Sequence, residues 1–186
     1  MGYLTLPMTP VRDTPRWAKA PHSIDDTWIY GGLNAHITST INGNIAWPVT
    51  NQVIYTPVVV KQMVRIKKLA FGSGTTGTGN IAIGVYNRAG TRLINSGTIA
   101  KGTTAVPQVV DTTDLVLKPD LYYIALQCSN ATDTFARRTT TFPLFASTGM
   151  RSETPTFGLP ATATWTVDQT LNYAPIVAML TETTLA

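Results

Sequence analysis

The scarcity of glutamate is what most limits the folds open to this chain. Glu153 and Glu182 are the only two in 186 residues, while threonine occurs 32 times. Helix surfaces are built from Glu, Lys, Gln, Arg and Ala, whose side chains lose little freedom there. Thr, Val, Ile and Tyr suit the pleated, half-buried surface of a strand. Charged residues make up only 13% of the chain, against about 25% in ordinary soluble domains. Together these features exclude a helical bundle, a coiled coil and a doubly wound α/β fold. They predict an all-β protein: an antiparallel, jelly-roll-like β-sandwich over residues 31–186, preceded by an extended N-terminal arm over residues 1–30.

A chain of this length buries roughly 70% of its unfolded surface and needs no covalent staple. It could form none internally, since Cys128 is its one cysteine. Set in Tyr122-Tyr-Ile-Ala-Leu-Gln-Cys128, with no flanking cation, Cys128 reads as a small buried hydrophobe. No apolar run approaches the ~18 residues of a membrane helix. The first residues show no basic region followed by an apolar one, so no secretory signal is expected. Gly2 lacks the Ser or Thr at position 6 that myristoylation needs; Leu6 stands there. Synthesis in a cytoplasm is the expectation.

Residues 1–30 carry Pro7, Pro10, Pro15 and Pro21 without any hydrophobic period. Proline fixes φ and pushes its predecessor to extended geometry. Yet the segment includes Trp17, Trp28 and Tyr30, residues a disordered tail lacks. An arm lying on a protein surface, its own or a neighbour's, with Trp17 as anchor, fits both facts.

From Leu33 onward the signals are strands and turns. Leu33–Ile41 alternates weakly, and Asn42-Gly43 signals a hairpin turn. Residues 52–56 read as a strand before Pro57, and Val58–Phe71 as another. In that run Val64 and Ile66 share a face, while Leu69 and Phe71 have the opposite parity. A period of two cannot change parity without an extra residue, so a β-bulge is predicted near Lys67-Lys68. Gly72–Asn80 reads as a flexible loop. Ile81–Tyr86 and Thr91–Ile94 form a hairpin across Asn87-Arg-Ala-Gly90, a type I turn with Gly90 left-handed. Val106–Val110 and Asp114–Leu117 are short strands, and Leu121–Cys128 is the clearest core strand. Phe135–Thr140, Phe142–Ser147, Thr162–Val167 and Tyr173–Thr181 complete nine or ten strands at sandwich spacing.

The formal net charge of +4 conceals a sorted pattern. No acid occurs between Asp26 and Asp111, a stretch holding Lys61, Arg65, Lys67, Lys68, Arg88, Arg92 and Lys101. From Asp111 onward seven acids face Lys118, Arg137, Arg138 and Arg151. Either the two halves interleave within one sandwich, or a basic surface with Arg65, Lys67, Lys68 and Arg92 faces an anionic partner or another copy. No dense Lys/Arg stripe or nucleic-acid motif points to specific nucleic acid.

Chemistry-bearing patterns are weak. Gly72-Ser-Gly-Thr-Thr-Gly77 matches a dinucleotide fingerprint by letter, but a strand follows it where that fingerprint opens a helix. His22 and His36, the two histidines, are not spaced as metal ligands. No Gly-x-Ser-x-Gly elbow accompanies them. Asp25-Asp26 alternate sides in an extended chain and cannot flank one bond. Asp111-Thr-Thr-Asp114 reads as a turn before it reads as a calcium loop. Arg137-Arg138 reads as a pair on an edge strand. Asn130-Ala-Thr132 matches a glycosylation sequon, which without the signal sequence is expected to have no consequence. No cofactor, metal or catalytic set is expected, and the chain reads as no enzyme.

Three runs carry a resemblance: Asn51-Gln-Val-Ile-Tyr-Thr-Pro-Val58, Gly79-Asn-Ile-Ala-Ile-Gly-Val-Tyr-Asn-Arg-Ala-Gly-Thr-Arg-Leu-Ile-Asn-Ser-Gly97, and Leu117-Lys-Pro-Asp-Leu-Tyr-Tyr-Ile-Ala-Leu126. Over roughly residues 47–130 they resemble β-sandwich virion proteins of tailed bacteriophages, with Asp120 where Gly is common. The resemblance implies a non-enzymatic structural protein in the virion, of the capsid decoration (cement) or head–tail accessory kind. Other virion subunits, whether major capsid or head–tail proteins, are its implied partners. It also implies a homo-oligomer, with trimers common among such projecting sandwiches. In that reading the arm docks on neighbours through Arg12, Arg16, Trp17, Trp28 and Tyr30. The alternative is a tail-associated receptor or carbohydrate-binding module stacking sugars on Trp47, Tyr86 and Trp165.

Overall fold

The computed structural model describes residues 26–30, 41–138, 149–167 and 173–182. Thirteen strands and no helix occur among them: β1 (Asp26–Tyr30), β2 (Ile41–Ala46), β3 (Val53–Val60), β4 (Val64–Gly72), β5 (Asn80–Asn87), β6 (Arg92–Asn95), β7 (Ile99–Ala100), β8 (Pro107–Leu117), β9 (Asp120–Cys128), β10 (Thr134–Arg138), β11 (Arg151–Glu153), β12 (Ala174–Pro175) and β13 (Val177–Glu182). All pairing is antiparallel. No helix of the described residues is long and apolar enough to cross a membrane. The fold is the all-β sandwich that the threonine-rich, glutamate-poor chain requires.

One sheet has the order β1-β13-β4-β8, and a second runs β11-β3-β9-β5-β6, with β7 also on β5. A small third sheet, β12-β10-β2, contributes Phe135 and Ala174 to the main core. Strand alternation fixes which residues meet. Val64, Ile66, Leu69, Phe71, Val177 and Met179 of the first sheet face Ile54, Val58, Ile81, Ile83, Val85, Ile124 and Leu126 of the second. Trp47, Phe135 and Tyr173 close one end, with Trp47 4.9 Å from Phe135 and 5.3 Å from Tyr173 between ring centroids. Burying each large apolar side chain contributes about 1.5–3 kcal/mol.

The second sheet is buried on both faces. Val53, Tyr55, Ala82, Tyr86, Tyr123 and Ala125 point away from the first sheet, into a separate cluster with Leu159. Residues 154–167 lie over them. Thr162–Val167, read from the sequence as a strand, makes only isolated bridges at Thr162 and Thr166. Its Thr, Ala and Trp residues attach to turns and side chains, so no ladder develops. Ala163 N–H donates to Gly90 O at 2.8 Å, and Thr166 exchanges backbone bonds with Ser152. Buried Gln127 ties the middle: its Nε2 donates to Asn51 O, and its Oε1 accepts from Gly158 N–H at 2.9 Å.

The predicted bulge is present. Lys68 pairs with Leu180 and Ile66 with Thr181, leaving Lys67 unopposed; on the other side the register shifts at the same place, between Ile66/Leu115 and Lys68/Asp111. Gly90 has φ +88°, as its turn requires.

Several boundaries differ from the sequence reading. Asn42-Gly43 makes no hairpin. Strand β2 runs straight through it, and two residues, Gly43 and Asn44, oppose Ala136 alone. The left-handed position falls on Asn44, φ +65°, whose Oδ1 accepts from Thr75 N–H and Oγ1. An Asn side chain bonding a neighbouring loop makes this bulge as favourable as a turn. Pro57 does not divide β3. Strand β11 covers only Val53–Tyr55, so beyond Tyr55 a missing N–H leaves no ladder bond unmade. Pro107–Leu117 form one strand, and Asp111-Thr-Thr-Asp114 is an irregularity inside it, not a turn. Arg137-Arg138 lies on the middle strand of its sheet, not an edge. The sheet begins at Asp26, so the last five residues of the 1–30 segment are strand β1, paired with β13. The expected strands at 33–40 and 142–147 lie outside the described residues.

Candidate functional site

Three places concentrate polar or exposed apolar chemistry. The first is where the β4–β5, β7–β8 and β9–β10 connections meet. Asp133, fully buried, accepts from Thr78 N–H (2.8 Å) through Oδ1 and from Gly79 N–H (3.1 Å) through Oδ2. Burial pushes its carboxyl up, but the donors from Thr78, Gly79, Asn130 and Cys128 outweigh that and hold it below the ordinary 3.8. Lys101, 5% exposed, donates to Ser73 Oγ (3.0 Å), Gly74 O (3.3 Å) and Gly102 O (2.8 Å), and lies 5.1 Å from the Phe135 ring centroid. Burial lowers its pKa, with Asp133 partly offsetting.

These bonds pin Gly72–Asn80, which the sequence presents as a flexible loop. They also explain its glycines. A Cβ on Gly74 would stand 2.4 Å from Thr134 Oγ1 and 2.7 Å from the Thr134 backbone; on Gly77, 2.6 Å from Gly102 O. The fingerprint-like spacing serves loop-on-loop packing, and a strand follows it as expected. Cys128 beneath is a buried hydrophobe as expected, its thiol pushed up to about 12 by burial. Asn130, the sequon residue, caps the turn, its Oδ1 accepting from Thr132 and Asp133 N–H.

The second place lies under residues 154–167. Glu153 accepts from Tyr55 OH and, through Oε2, from Thr164 N–H (2.8 Å) and Oγ1 (2.6 Å). Burial foremost, and then Glu153, push the Tyr55 phenol far up. Trp165 packs on Tyr55 (4.7 Å) and Tyr123 (4.6 Å), and the Arg151 guanidinium lies 5.4 Å from its ring centroid. Every polar group here is committed to holding the cover. Nothing in the sequence reading marked Lys101, Asp133, Arg151, Glu153, Tyr55 or Tyr123. Asn130-x-x-Asp133 was the one legible signal, as a side-chain-capped turn.

The residues proposed for sugar stacking are not a platform. Trp47 and Tyr86 are 1% and 0% exposed. Trp47 donates to Gln52 O inside the main core, and Tyr86 OH donates to Pro160 O beneath the cover. Trp165 is half-buried on the far side of the second sheet from Trp47. Trp47 and Tyr86 were accessible to sequence reasoning only as aromatics beside turns, which does not distinguish a core ring from a surface one.

The basic residues divide. Arg65, Lys67 and Lys68 lie on β4, between two strands of the acidic half. Arg65 stands opposite Glu182 and Lys68 opposite Asp111, with Lys68 Nζ 3.3 Å from Asp111 Oδ1. These charges interleave within one molecule. Arg92 is elsewhere, on β6, with its Nη1 donating to Leu159 O under the cover. The four form no common surface. Trp28 and Tyr30 occupy β1 positions opposite Leu180 and Ala178; Arg12, Arg16 and Trp17 lie outside the described residues.

The third place is β8. It ends the order of its sheet and has no partner on its outer side among the described residues. Eleven residues long, it exposes Val109 (47%) and Val116 (49%), with Val106 (55%) just before it. Asp111 and Asp114 are exposed along it. Such an edge presents unpaired N–H and C=O groups to any strand that reaches it.

No protein-family model matches this chain, and no curated protein matches it in sequence. Among the described residues no three His, Cys, Asp or Glu side chains gather to hold a metal.

Proposed function

We propose that this chain is a non-enzymatic structural subunit of a bacteriophage virion, a capsid decoration (cement) or head–tail accessory protein that docks on neighbouring subunits through its N-terminal arm. The observation that carries the assembly reading is the β8 edge, which has no partner strand on its outer side among the described residues. It is long, and its exposed Val109 and Val116 are apolar, whereas isolated sheets blunt such edges by shortening or covering them. The virion class rests on the resemblance. The three runs that carry it lie far apart in sequence and become neighbours in one sheet: β3, the β5–β6 hairpin and β9. Buried Lys101 and Asp133 and half-buried Glu153 all hold loops in place, which suits a rigid building block.

The test is a purified virion, probed for this chain by mass spectrometry and antibody labelling. A second sample comes from infections supplying a chain shortened by residues 1–25, which leaves β1 intact. Labelling on the head or head–tail junction is expected, together with a folded, soluble shortened chain that fails to incorporate. Labelling at the tail tip alone sinks the decoration reading. Incorporation of the shortened chain sinks docking by the arm.

A further inference from the structure

We propose that residues Arg16–Ala20 of one copy add as a strand to the open β8 edge of the next copy, a head-to-tail contact that builds the homo-oligomer. This rests on the assembly reading above and names the surface that receives the arm. Strand addition to an exposed edge draws affinity from main-chain hydrogen bonds and specificity from flanking side chains.

The edge itself argues against a second β8 as occupant. Antiparallel self-pairing about the middle of β8 would bring Asp111 of one copy beside Asp114 of the other, and parallel pairing would set each carboxylate near its twin. Like charges directly across a ladder are destabilising. The edge therefore calls for a strand with cations, no acid and no proline. Within the arm, Arg16-Trp-Ala-Lys-Ala20 is that run: Pro15 and Pro21 bound it, Arg16 and Lys19 are its charges, and Trp17 supplies apolar area for Val109 or Val116. Arg12 is adjacent to Asp13, and Met1–Leu6 carries no charged side chain. Asp114, exposed and without an ion pair among the described residues, is the counter-charge; Asp111 is already beside Lys68.

Topology gives the direction. The arm joins the sheet at β1, and β8 is the opposite edge of that same sheet. Donor and acceptor segments thus differ: passed from copy to copy the contact is heterologous and propagates to a ring or an open chain, and exchanged reciprocally it closes a two-fold dimer. Residues 21–25 separate this run from β1 and reach about 20 Å when extended, so the neighbour's β8 must lie within that distance of Asp26.

The experiment uses three full-length proteins in sedimentation velocity and native mass spectrometry: wild type, the double variant Arg16→Asp/Lys19→Asp, and Asp114→Lys. Wild type is expected to self-associate over a roughly hundredfold concentration range. Each variant alone is expected to lose about tenfold or more in affinity. Mixing the two variants should restore association as mixed complexes, because the acidic arm of one meets the lysine edge of the other. Failure of the mixed variants to associate, with wild type associating and each variant impaired alone, overturns the contact between copies. Self-association untouched by either variant overturns the β8 address while leaving docking by the arm standing. A wild type that stays monomeric throughout overturns the homo-oligomer, and the virion experiment above then decides the broader reading separately.

Discussion

Asp133 shows how one side chain can join two loops. Its two oxygens receive N–H groups from consecutive residues, Thr78 and Gly79, so the carboxylate acts as a two-pronged acceptor. Asparagine has only one acceptor oxygen, and its NH₂ would face the other donor. Asp133→Asn is therefore expected to cost about 2–3 kcal/mol in urea unfolding at neutral pH. The pH dependence follows from the sign of the shift. The folded carboxyl lies below 3.8, so its stabilisation is fully present above that value and is lost as pH falls through the folded pKa. The gap between wild type and Asp133→Asn should shrink only below about pH 4; a constant gap down to pH 2 would show that the carboxylate's charge is not what matters. Lys101 has a depressed pKa as well, and for a base this means the fold disfavours the charged form. Its burial penalty is relieved as pH rises from the folded value towards 10.5. Lys101 was not legible in advance and Asp133 only as part of a capped turn, because a buried Lys and Asp look like surface residues until the loops that satisfy them are brought together.

At the scale of elements, parity was the most informative signal in the chain. Val64 and Ile66 against Leu69 and Phe71 required one extra residue, and Lys67 supplies it. Removing Lys67 leaves Val64, Ile66, Leu69 and Phe71 in one unbroken alternation, so that deletion is expected to fold and to lose less than about 2 kcal/mol. Removing Ala70 instead turns Phe71, 1% exposed, out of the core. A loss of about 3–5 kcal/mol is expected there. Equal thermal midpoints for the two deletions would show that the bulge does not set the register. Asn42-Gly43 misled for a related reason. The dipeptide favours a left-handed residue nearby, and both a hairpin and a bulge need one. The partner strand β10 decided between them, and its pairing with β2 spans 88 or more residues.

For the whole molecule, the outer layer over the second sheet is the main surprise. Residues 154–167 have little regular structure, yet they seal Tyr55, Tyr86 and Tyr123 from water. Leu159→Ala should cost about 2–4 kcal/mol and increase binding of a hydrophobic dye, whereas Val49→Ala at an exposed position should change stability by under about 0.5 kcal/mol. Dye binding unchanged in Leu159→Ala would mean that the cover does not protect the aromatic face. The sorted charges also resolve at this scale. The basic run on β4 lies between β13 and β8, and its Lys68–Asp111 pair, partly exposed, contributes about 0–1 kcal/mol. Sorting along the chain becomes mixing in space, as a sheet with distant neighbours allows.

The sequence by itself determined the fold class, the core strand Leu121–Cys128 and the bulge, because side-chain composition and a period of two act within a few residues. It determined that Gly90 closes a hairpin, since the turn and both strands are local. Tertiary structure alone decided that Trp47 and Tyr86 are core rings, that Lys101 and Asp133 clamp loops, and that β8 ends its sheet without a partner among the described residues. Each of those depends on which distant segment arrives alongside. In a sheet whose neighbours are rarely consecutive, that is settled by mutual burial of whole faces and not by any local preference.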